Sequence, residues 1–425
     1  MEPMLIVEEA QERVLMAFAP LGSERVSVLD AVGRFLAEDV SSSVDIPPHD
    51  NSSMDGYAVR ASDTAGASVK SPTTLTVLAD LPAGYVSERE VVPGTAIRIM
   101  TGAPLPSGAD AVVKVEDTAS TDDHVRVFDE VPPGNYVRPA GEDVRHGSLV
   151  IQKGTRLRPQ EIGMLAALGR PQIDVARHPR VAILATGDEL VAIDKPLAPG
   201  KIRNANSYSS AAQVTSHGGE PILLGIARDT VEELTAKVQE GLEQEVDLFL
   251  TSGGVSVGEF DLVKEVLAAE GAMDFWRVRM KPGKPLAFGH LQLPSDGLHS
   301  RTLPNRPGSN SAGVPILGLP GNPVSVMVSF EMFVRPALLK MQGANELRRP
   351  TVTATLMDEI RHKDERRHYV RVQLVWEEEG YRAYLTGDQG SGILSSVVKA
   401  NALAIIPEEW DHAPAGARVQ AMLLD

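Results

Sequence analysis

Residues 248 to 261, LFLTSGGVSVGEFD, constrain what this chain can fold into more than any other stretch. Leu248, Phe249 and Leu250 read as the end of a buried strand, Gly253 and Gly254 free the backbone for a sharp turn, and Glu259 and Asp261 open a predicted helix. A strand that enters a glycine turn and then a helix aims unpaired backbone N–H groups at an anion. Carboxylates at the lip of such a cradle need a metal ion or a strongly basic neighbour to balance their charge. The rest of the chain must therefore supply companion strands, companion turns and a cation.

From 178 to about 340 strand and helix alternate. Strands are predicted at 181 to 185 (VAILA), 221 to 226 and 246 to 250, and helices near 206 to 217, 230 to 242 and 260 to 270. Thr230 with Glu233 has the spacing of a capping box. Alternation of this kind predicts a mostly parallel sheet covered on both faces, with ligands bound outside the carboxyl ends of its strands. Three glycine-bearing turns follow predicted strand ends: ATGDEL (185 to 190), TSGGVSVGEFD (251 to 261) and GLPGNPVS (318 to 325). MKPGKPLAFG, 280 to 289, adds Lys281 and Lys284, the cations that the acidic turns call for.

The flanking regions differ in texture. Val7, Ala10, Val14 and Phe18 share one face of a predicted amphipathic helix over 5 to 19, a second helix is expected over 27 to 39, and 157 to 168 returns to helix with Pro159 early and Gly169 at its end. Short β-rich segments separated by Pro and Gly fill 70 to 150, preceded by the polar loop PPHDNSSMDGYAVR. Beyond about 345 the pattern is again β, with GSGILSS (390 to 396) its most loop-like segment. The expected organisation is multidomain α/β plus β: a helical layer (1–45 and 146–177), an inserted β domain (46–145), a central α/β domain (178–340) and a C-terminal β barrel (341–425).

Composition excludes several function classes. The 425 residues carry a net charge of -16, which argues against a nucleic-acid or anionic-membrane partner. There is no cysteine, so no disulfide, thiolate metal site or Cys nucleophile exists. No run reaches the roughly 18 apolar residues of a membrane span, and the acidic, mixed N-terminus lacks a signal-peptide profile, so a soluble cytoplasmic protein is expected. The ten histidines show no close metal-ligand spacing such as HExxH, which argues against a structural zinc site.

Taken singly, a glycine turn or a helix-start carboxylate is ordinary. Together, Glu189, Asp229, Asp261, Lys281 and Lys284 all fall near predicted strand exits of one α/β domain. That grouping favours a shared anion and metal site, suited to phosphoryl or oxyanion chemistry with carboxylates on Mg²⁺ and lysines on phosphate. No local nucleophile and base pair stands out, so positioning and electrostatics would carry the rate.

The stretches DNSSMDGYAVR, IRIMTGAPLPSGADAVV, GEDV, TGDEL, TSGGVSVGEFD, KPGKPLAFG and GLPGNPVS, in this order, resemble the molybdopterin molybdenumtransferase family (MoeA, and the E domain of gephyrin) from about residue 5 to the C-terminus. The adenylyltransferases that share the α/β domain match neither the first stretch nor the VSVGEFD form of the glycine loop. The resemblance implies an elongated homodimer, the β domain of one subunit facing the α/β site of the other. It also implies insertion of molybdate into adenylylated molybdopterin with release of AMP, a requirement for Mg²⁺, and a transient contact with molybdopterin adenylyltransferase. The lack of cysteine agrees, since the pterin supplies the sulfur ligands.

Carried over residue by residue, Asp55 and Thr101 resemble β-domain residues that face the site, with Asp50, Arg138 and Asp143 nearby. Glu189, Asp229 and Asp261 resemble the acidic cluster around Mg²⁺ and the adenylate. Lys281 and Lys284 resemble the cations that hold phosphate or molybdate, Pro320 and Pro323 the adjacent wall, and Ser252, Gly253 and Gly254 the phosphate cradle. Ser391 is expected to reach the cleft from the C-terminal domain. Residues 291 to 314 lengthen a connection that is short in the family, and their Pro, Ser, Asn and Gly content predicts an excursion into solvent. Two other classes compete: an assembly scaffold on the same fold, and a nucleotide-dependent phosphohydrolase sharing only the α/β domain.

Overall fold

The apolar run at 181 to 185 forms the middle of a strand, β1 (Arg180–Thr186), whose side chains alternate between two cores. Val181 and Ile183 join one apolar cluster, Ala182 and Leu184 the other. A strand buried on both faces belongs in a parallel sheet covered by helices. With β2 (Glu220–Ala227), β3 (Leu248–Ser252), β4 (Gly271–Arg277), β5 (Pro285–Leu291) and β6 (Val314–Leu319) it forms a sheet of order β2-β1-β3-β6-β5-β4. The first four strands in that order run parallel, and β5 and β4 are antiparallel to their neighbours. This computed structural model describes residues 4–253, 271–292, 313–362, 364–378 and 380–424.

Helices cover both faces of the sheet. Val231–Glu243 packs Leu234, Val238 and Leu242 onto one face, each fully buried aliphatic side chain contributing about 2 kcal/mol. The Thr230 hydroxyl accepts the Glu233 N–H at 3.3 Å, as a capping residue should. The Glu233 carboxylate turns instead to the Arg228 N–H at 2.9 Å, so the reciprocal half of the box is not made. Val7–Met16 packs the predicted Val7, Ala10 and Val14 on the opposite face, alongside Asn206–Ser216, Pro323–Ser329 and Arg335–Met341.

Beyond the sheet, β7 (Thr351–Leu356), β8 (Arg367–Glu377), β9 (Gly380–Leu385), β10 (Ala402–Ile406) and β11 (Arg418–Leu423) follow the order β8-β9-β7-β11-β10. Because β8 also pairs with β10, the ladder closes into a five-stranded barrel filled by Leu356, Val372, Ala383, Ile406 and Ala421. The two-residue strand Met280–Lys281 adds to β8 in parallel, with Lys281 opposite His368.

These elements belong to one compact unit, Met1–Glu38 with Lys153–Ile162 and Gln172–Asp425, and Asp39–Gln152 with Gly163–Pro171 make a second. In the second, Ala111–Lys114, Gly56–Val59, Thr95–Ile99, Ser68–Leu81, His124–Asp129 and Thr118–Ser120 form a six-stranded sheet in that order. It packs Tyr57, Val59, Leu75, Val113, Val125 and Val127 on one side and Ala58, Leu81, Ile97, Ile99 and Val112 on the other.

Two expectations need correction or restriction. No helix forms over 27 to 39: Gly33 sits at φ +81° with its N–H on the Leu157 carbonyl, and the N–H groups of Leu36 and Ala37 go to Thr155 and Asp174. Those donors are taken by neighbouring strands and not by an i−4 carbonyl, and just before them Ser23–Ser27 pairs antiparallel with Gln172–Ala176. The helix expected near 260 to 270 lies outside the described residues, and of the 291 to 314 connection only its ends are described, where Leu291 pairs with Val314. Among the described residues no helix is long and apolar enough to cross a membrane.

Candidate functional site

Parallel pairing of β2, β1, β3 and β6 brings their carboxyl ends to one edge, and antiparallel β5 brings its amino end there too, since Ala287 pairs with Gly318. Along that edge stand Asp229 after β2, Gly187 to Glu189 after β1, Ser252 and Gly253 at β3, Pro320 to Pro323 after β6, and Lys281 to Lys284 before β5. At roughly 4.8 Å per strand the lysines stand about 14 Å from the β1 turn and about 19 Å from the β2 end that carries Asp229.

The turns meet backbone to backbone. Gly253 holds φ +93°, and a Cβ there would lie 2.6 Å from the Thr186 carbonyl oxygen, so only glycine fits both the conformation and the space. A Cβ on Gly321 would lie 3.7 Å from the Gly253 Cα, an ordinary contact, and the Gly321 carbonyl accepts from the Asn206 side-chain amide at 2.7 Å. The Gly253 N–H donates to the Leu319 carbonyl at 3.3 Å, so this residue contributes close approach more than a free donor. Ser252 is buried at the strand end, and the Thr186 and Thr251 hydroxyls beside it are buried without a partner among the described residues. Gly254 and Asp261 lie outside the described residues.

At the acidic end, the Asp188 N–H approaches the Asp229 carboxylate at 3.4 Å, and Glu189 curls back until its oxygens would meet a Cβ on Gly187 at 2.5 and 2.7 Å. Burial pushes the Asp229 carboxyl above its usual range, the Asp188 N–H opposes this, and the negative charges of Asp188 and Glu189 add to it. Lys201 is spent on the Asp188 carbonyl at 2.5 Å. Part-buried Asp229, with the exposed carboxylates of Asp188 and Glu189 beside it, offers hard oxygen donors, which fit a Mg²⁺ ion. Asp188 was not singled out from sequence, although it lies inside TGDEL; only the fold shows that β2 delivers Asp229 to its backbone.

At the other end, Lys281 and Lys284 are both exposed. The Lys281 ammonium lies 3.5 Å from Asp364, a residue of the barrel. Pro320 is buried and Pro323 opens the helix Pro323–Ser329, whose Val324 N–H donates to the Ser391 carbonyl at 3.1 Å. The Ser391 backbone thus meets the first turn of the helix that follows β6.

Asp364 heads a cluster invisible to the spacing rules. His362 and His368, each 6 % exposed, stack at 3.8 Å between ring centroids, and His368 Nε2 meets Asp364 Oδ1 at 2.8 Å. Arg366 holds the second carboxylate oxygen at 2.8 Å. Burial would raise the Asp364 carboxyl, but hydrogen bonds from Arg366 and His368 outweigh it and hold the group well below the usual range. Burial presses His368 down to about 4 against the pull of Asp364.

In the second unit, Asp55 Oδ1 accepts both the N–H of Thr101 at 2.7 Å and its hydroxyl at 2.8 Å, and the N–H bond foremost holds the Asp55 carboxyl below its usual range. Asp50 accepts the Ala140 N–H at 2.7 Å, Arg138 pairs with Asn51, and the Asp143 N–H donates to Ile46. Asp50, Asp55, Thr101, Arg138 and Asp143 are all exposed, so neighbouring loops of this unit present them to solvent.

Comparison with known proteins agrees with this layout. Residues 5–169 match the family model described as the MoeA N-terminal region (domain I and II), 182–340 the probable molybdopterin binding domain, and 353–424 the MoeA C-terminal region (domain IV). A molybdopterin molybdenumtransferase of Nostoc is 39% identical, covering 91% of this chain and 85% of that protein. One from Haemophilus influenzae is 34% identical over 98% of both. The crystal structure of the molybdopterin biosynthesis moeA protein from Pyrococcus horikoshii superposes with a TM-score of 0.83 at 34% identity, covering 99% of this chain and 100% of that one.

Proposed function

The chain belongs to the MoeA family of molybdopterin molybdenumtransferases, and from that premise we propose that it inserts molybdate into adenylylated molybdopterin and releases AMP, completing a step of molybdenum cofactor biosynthesis. The observation that carries the reading is the polarity of the strand-end edge. Carboxylates gather after β1 and β2, lysines before β5, and glycine turns clear the ground between them. An edge about 19 Å long with opposite charge at its ends suits an extended substrate with a phosphoanhydride between a nucleotide and a pterin.

In this mechanism Lys281 and Lys284 bind molybdate or phosphate by direct charge and orient it toward the dithiolene. Gly253 lets its turn pack against the Thr186 backbone where a side chain would clash, which keeps the backbone wall of the phosphate cradle in place. Pro320 and Pro323 keep that wall rigid. Asp229 and Glu189, with Asp261, would hold Mg²⁺, which supplies charge neutralisation at the anhydride when bound. Ser391, through its carbonyl on Val324, fixes the turn that ends β6. With no covalent intermediate, the rate comes from positioning and electrostatics.

We further propose a homodimer acting in the cytoplasm, in which Asp55 and Thr101 of one subunit complete the site of the other, with a transient contact with molybdopterin adenylyltransferase to receive substrate. Purified protein given adenylylated molybdopterin, Mg²⁺ and molybdate is expected to release AMP and form metal-loaded cofactor. Lys281→Ala should lower the rate by roughly 100-fold or more while the circular dichroism spectrum is kept, since the side chain is exposed. AMP release equal in wild type and Lys281→Ala would defeat the assignment. Mixing Asp55→Ala with Lys281→Ala subunits should restore part of the activity; no restoration in verified heterodimers would exclude shared sites.

A further inference from the structure

The proposed reaction leaves one buried cluster unused. His362 follows the short strand Ile360–Arg361, His368 lies at the start of β8, and Asp364 falls between them in sequence. One ligand atom from each comes within 4.8 Å of the others, so a modest inward turn of the side chains brings all three onto a single ion. The His362 Nδ1 faces the Asp364 carbonyl at 3.2 Å, so Nδ1–H donates there and Nε2 carries the free lone pair. That Nε2 is buried and has no partner among the described residues. A buried imidazole nitrogen without a partner is costly, and a ring whose other nitrogen donates to a backbone carbonyl has the arrangement in which metal-bound imidazoles are held.

We infer that His362, Asp364 and His368 form a binding site for a divalent transition-metal ion of the zinc class, separate from the Mg²⁺ carboxylates of the strand-end edge. The donor set decides the class: two imidazoles and one carboxylate suit Zn²⁺, Co²⁺ or Ni²⁺ far better than Mg²⁺, which takes oxygen. His368 gives up its Nε2–H bond to Asp364, its proton passing through solvent to Nδ1, and turns the Nε2 lone pair on the ion with no net loss of a proton. Arg366 and Lys281 face the site from Asp364 Oδ2, and their positive charge works against the ion. This competition has a consequence for the cleft. A metal on Asp364 takes over the carboxylate that Lys281 now shares at 3.5 Å, leaving the ammonium free for an anionic ligand.

The inference is tested on the full-length chain after chelator treatment, by titrating ZnCl₂ calorimetrically with excess MgCl₂ present. One equivalent is expected to bind in wild type and in Glu189→Gln. In the His362→Gln, His368→Gln double variant that equivalent should weaken roughly tenfold or more. The metal should raise the melting temperature of wild type and not of the double variant. Unchanged zinc affinity in the double variant, or no zinc bound by wild type, overturns the site. Should the double variant not fold, CoCl₂ added to wild type decides the matter alone. Two histidine N–H or C–H proton resonances shifted by the paramagnetic ion support the site, and none refutes it.

Discussion

Asp229 and Asp364 are both part-buried carboxylates in loops of the same unit, and their surroundings drive them in opposite directions. Asp229 is pushed up, by burial and by the neighbouring charges of Asp188 and Glu189, against one weak N–H contact. Asp364 is pulled down, because Arg366 and His368 donate to it and Lys281 stands by. The difference teaches what each place lacks. Around Asp229 the negative charge is uncompensated by the described residues, which is where the proposed hard cation would sit; around Asp364 the charge is balanced, and the unmet need is the bare nitrogen of His362.

The edge that crowds Asp229 exists only while the strand-end turns stay in contact, so the most damaging way to break the comparison is to separate them. Gly253→Ala brings a Cβ to 2.6 Å from the Thr186 carbonyl and forces alanine to φ +93°. Strained φ and steric overlap together should cost roughly 3 kcal/mol. Urea denaturation measures this, and AMP release should fall with it. A variant as stable as wild type would mean that the turns yield easily, and that the crowding at Asp229 owes little to their packing.

The balanced centre should be more sensitive to loss of charge than of shape. Asp364→Asn keeps an acceptor for His368 but leaves Arg366 and Lys281 without their counter-charge. In chelator the expected loss is about 1 to 2 kcal/mol, the upper part of the range being withheld because the carboxylate is partly exposed. A free Lys281 should also bind molybdate more tightly in this variant, read by calorimetry. Unchanged stability together with unchanged molybdate affinity would mean that Asp364 restrains neither cation.

Much of the α/β unit was legible because one signal dominated it. VAILA at β1 is buried on both faces, and glycine or proline punctuates each strand end, so the shared edge followed from topology alone. Where two signals competed, the sequence misled. Over 27 to 39 a helical run of apolar residues yielded to Gly33 and to the carbonyls of Thr155 and Asp174, partners far away in the chain. The cluster at 362, 364 and 368 was missed for a related reason. His-x-Asp-x-x-x-His fits no ligand pattern on a single helix or strand, and it converges only because a turn joins the end of one strand to the start of β8. Likewise, the link of Asp364 to Lys281 depends on the pairing of Met280–Lys281 with β8, a contact between segments more than eighty residues apart.

The smallest effect is also the one of reversed sign. A carboxylate raised by burial and like charge destabilises the fold when ionised, so neutralising Asp229 should stabilise metal-free protein where neutralising Asp364 harms it. Asp229→Asn in chelator is expected to gain a few tenths of a kcal/mol to about 1 kcal/mol, small because the site is mostly open to water. Adding MgCl₂ should reverse the ranking: wild type gains stability from an ion that binds only the folded form, and the variant, short of one oxygen ligand's charge, gains less. Crossing melting curves for the two proteins, with and without Mg²⁺, would tie the acidic end of the edge to the cation. Should Asp229→Asn be less stable than wild type in both conditions, Asp229 would be a structural acceptor for the Asp188 N–H, and the uncompensated charge would rest on Asp188 and Glu189.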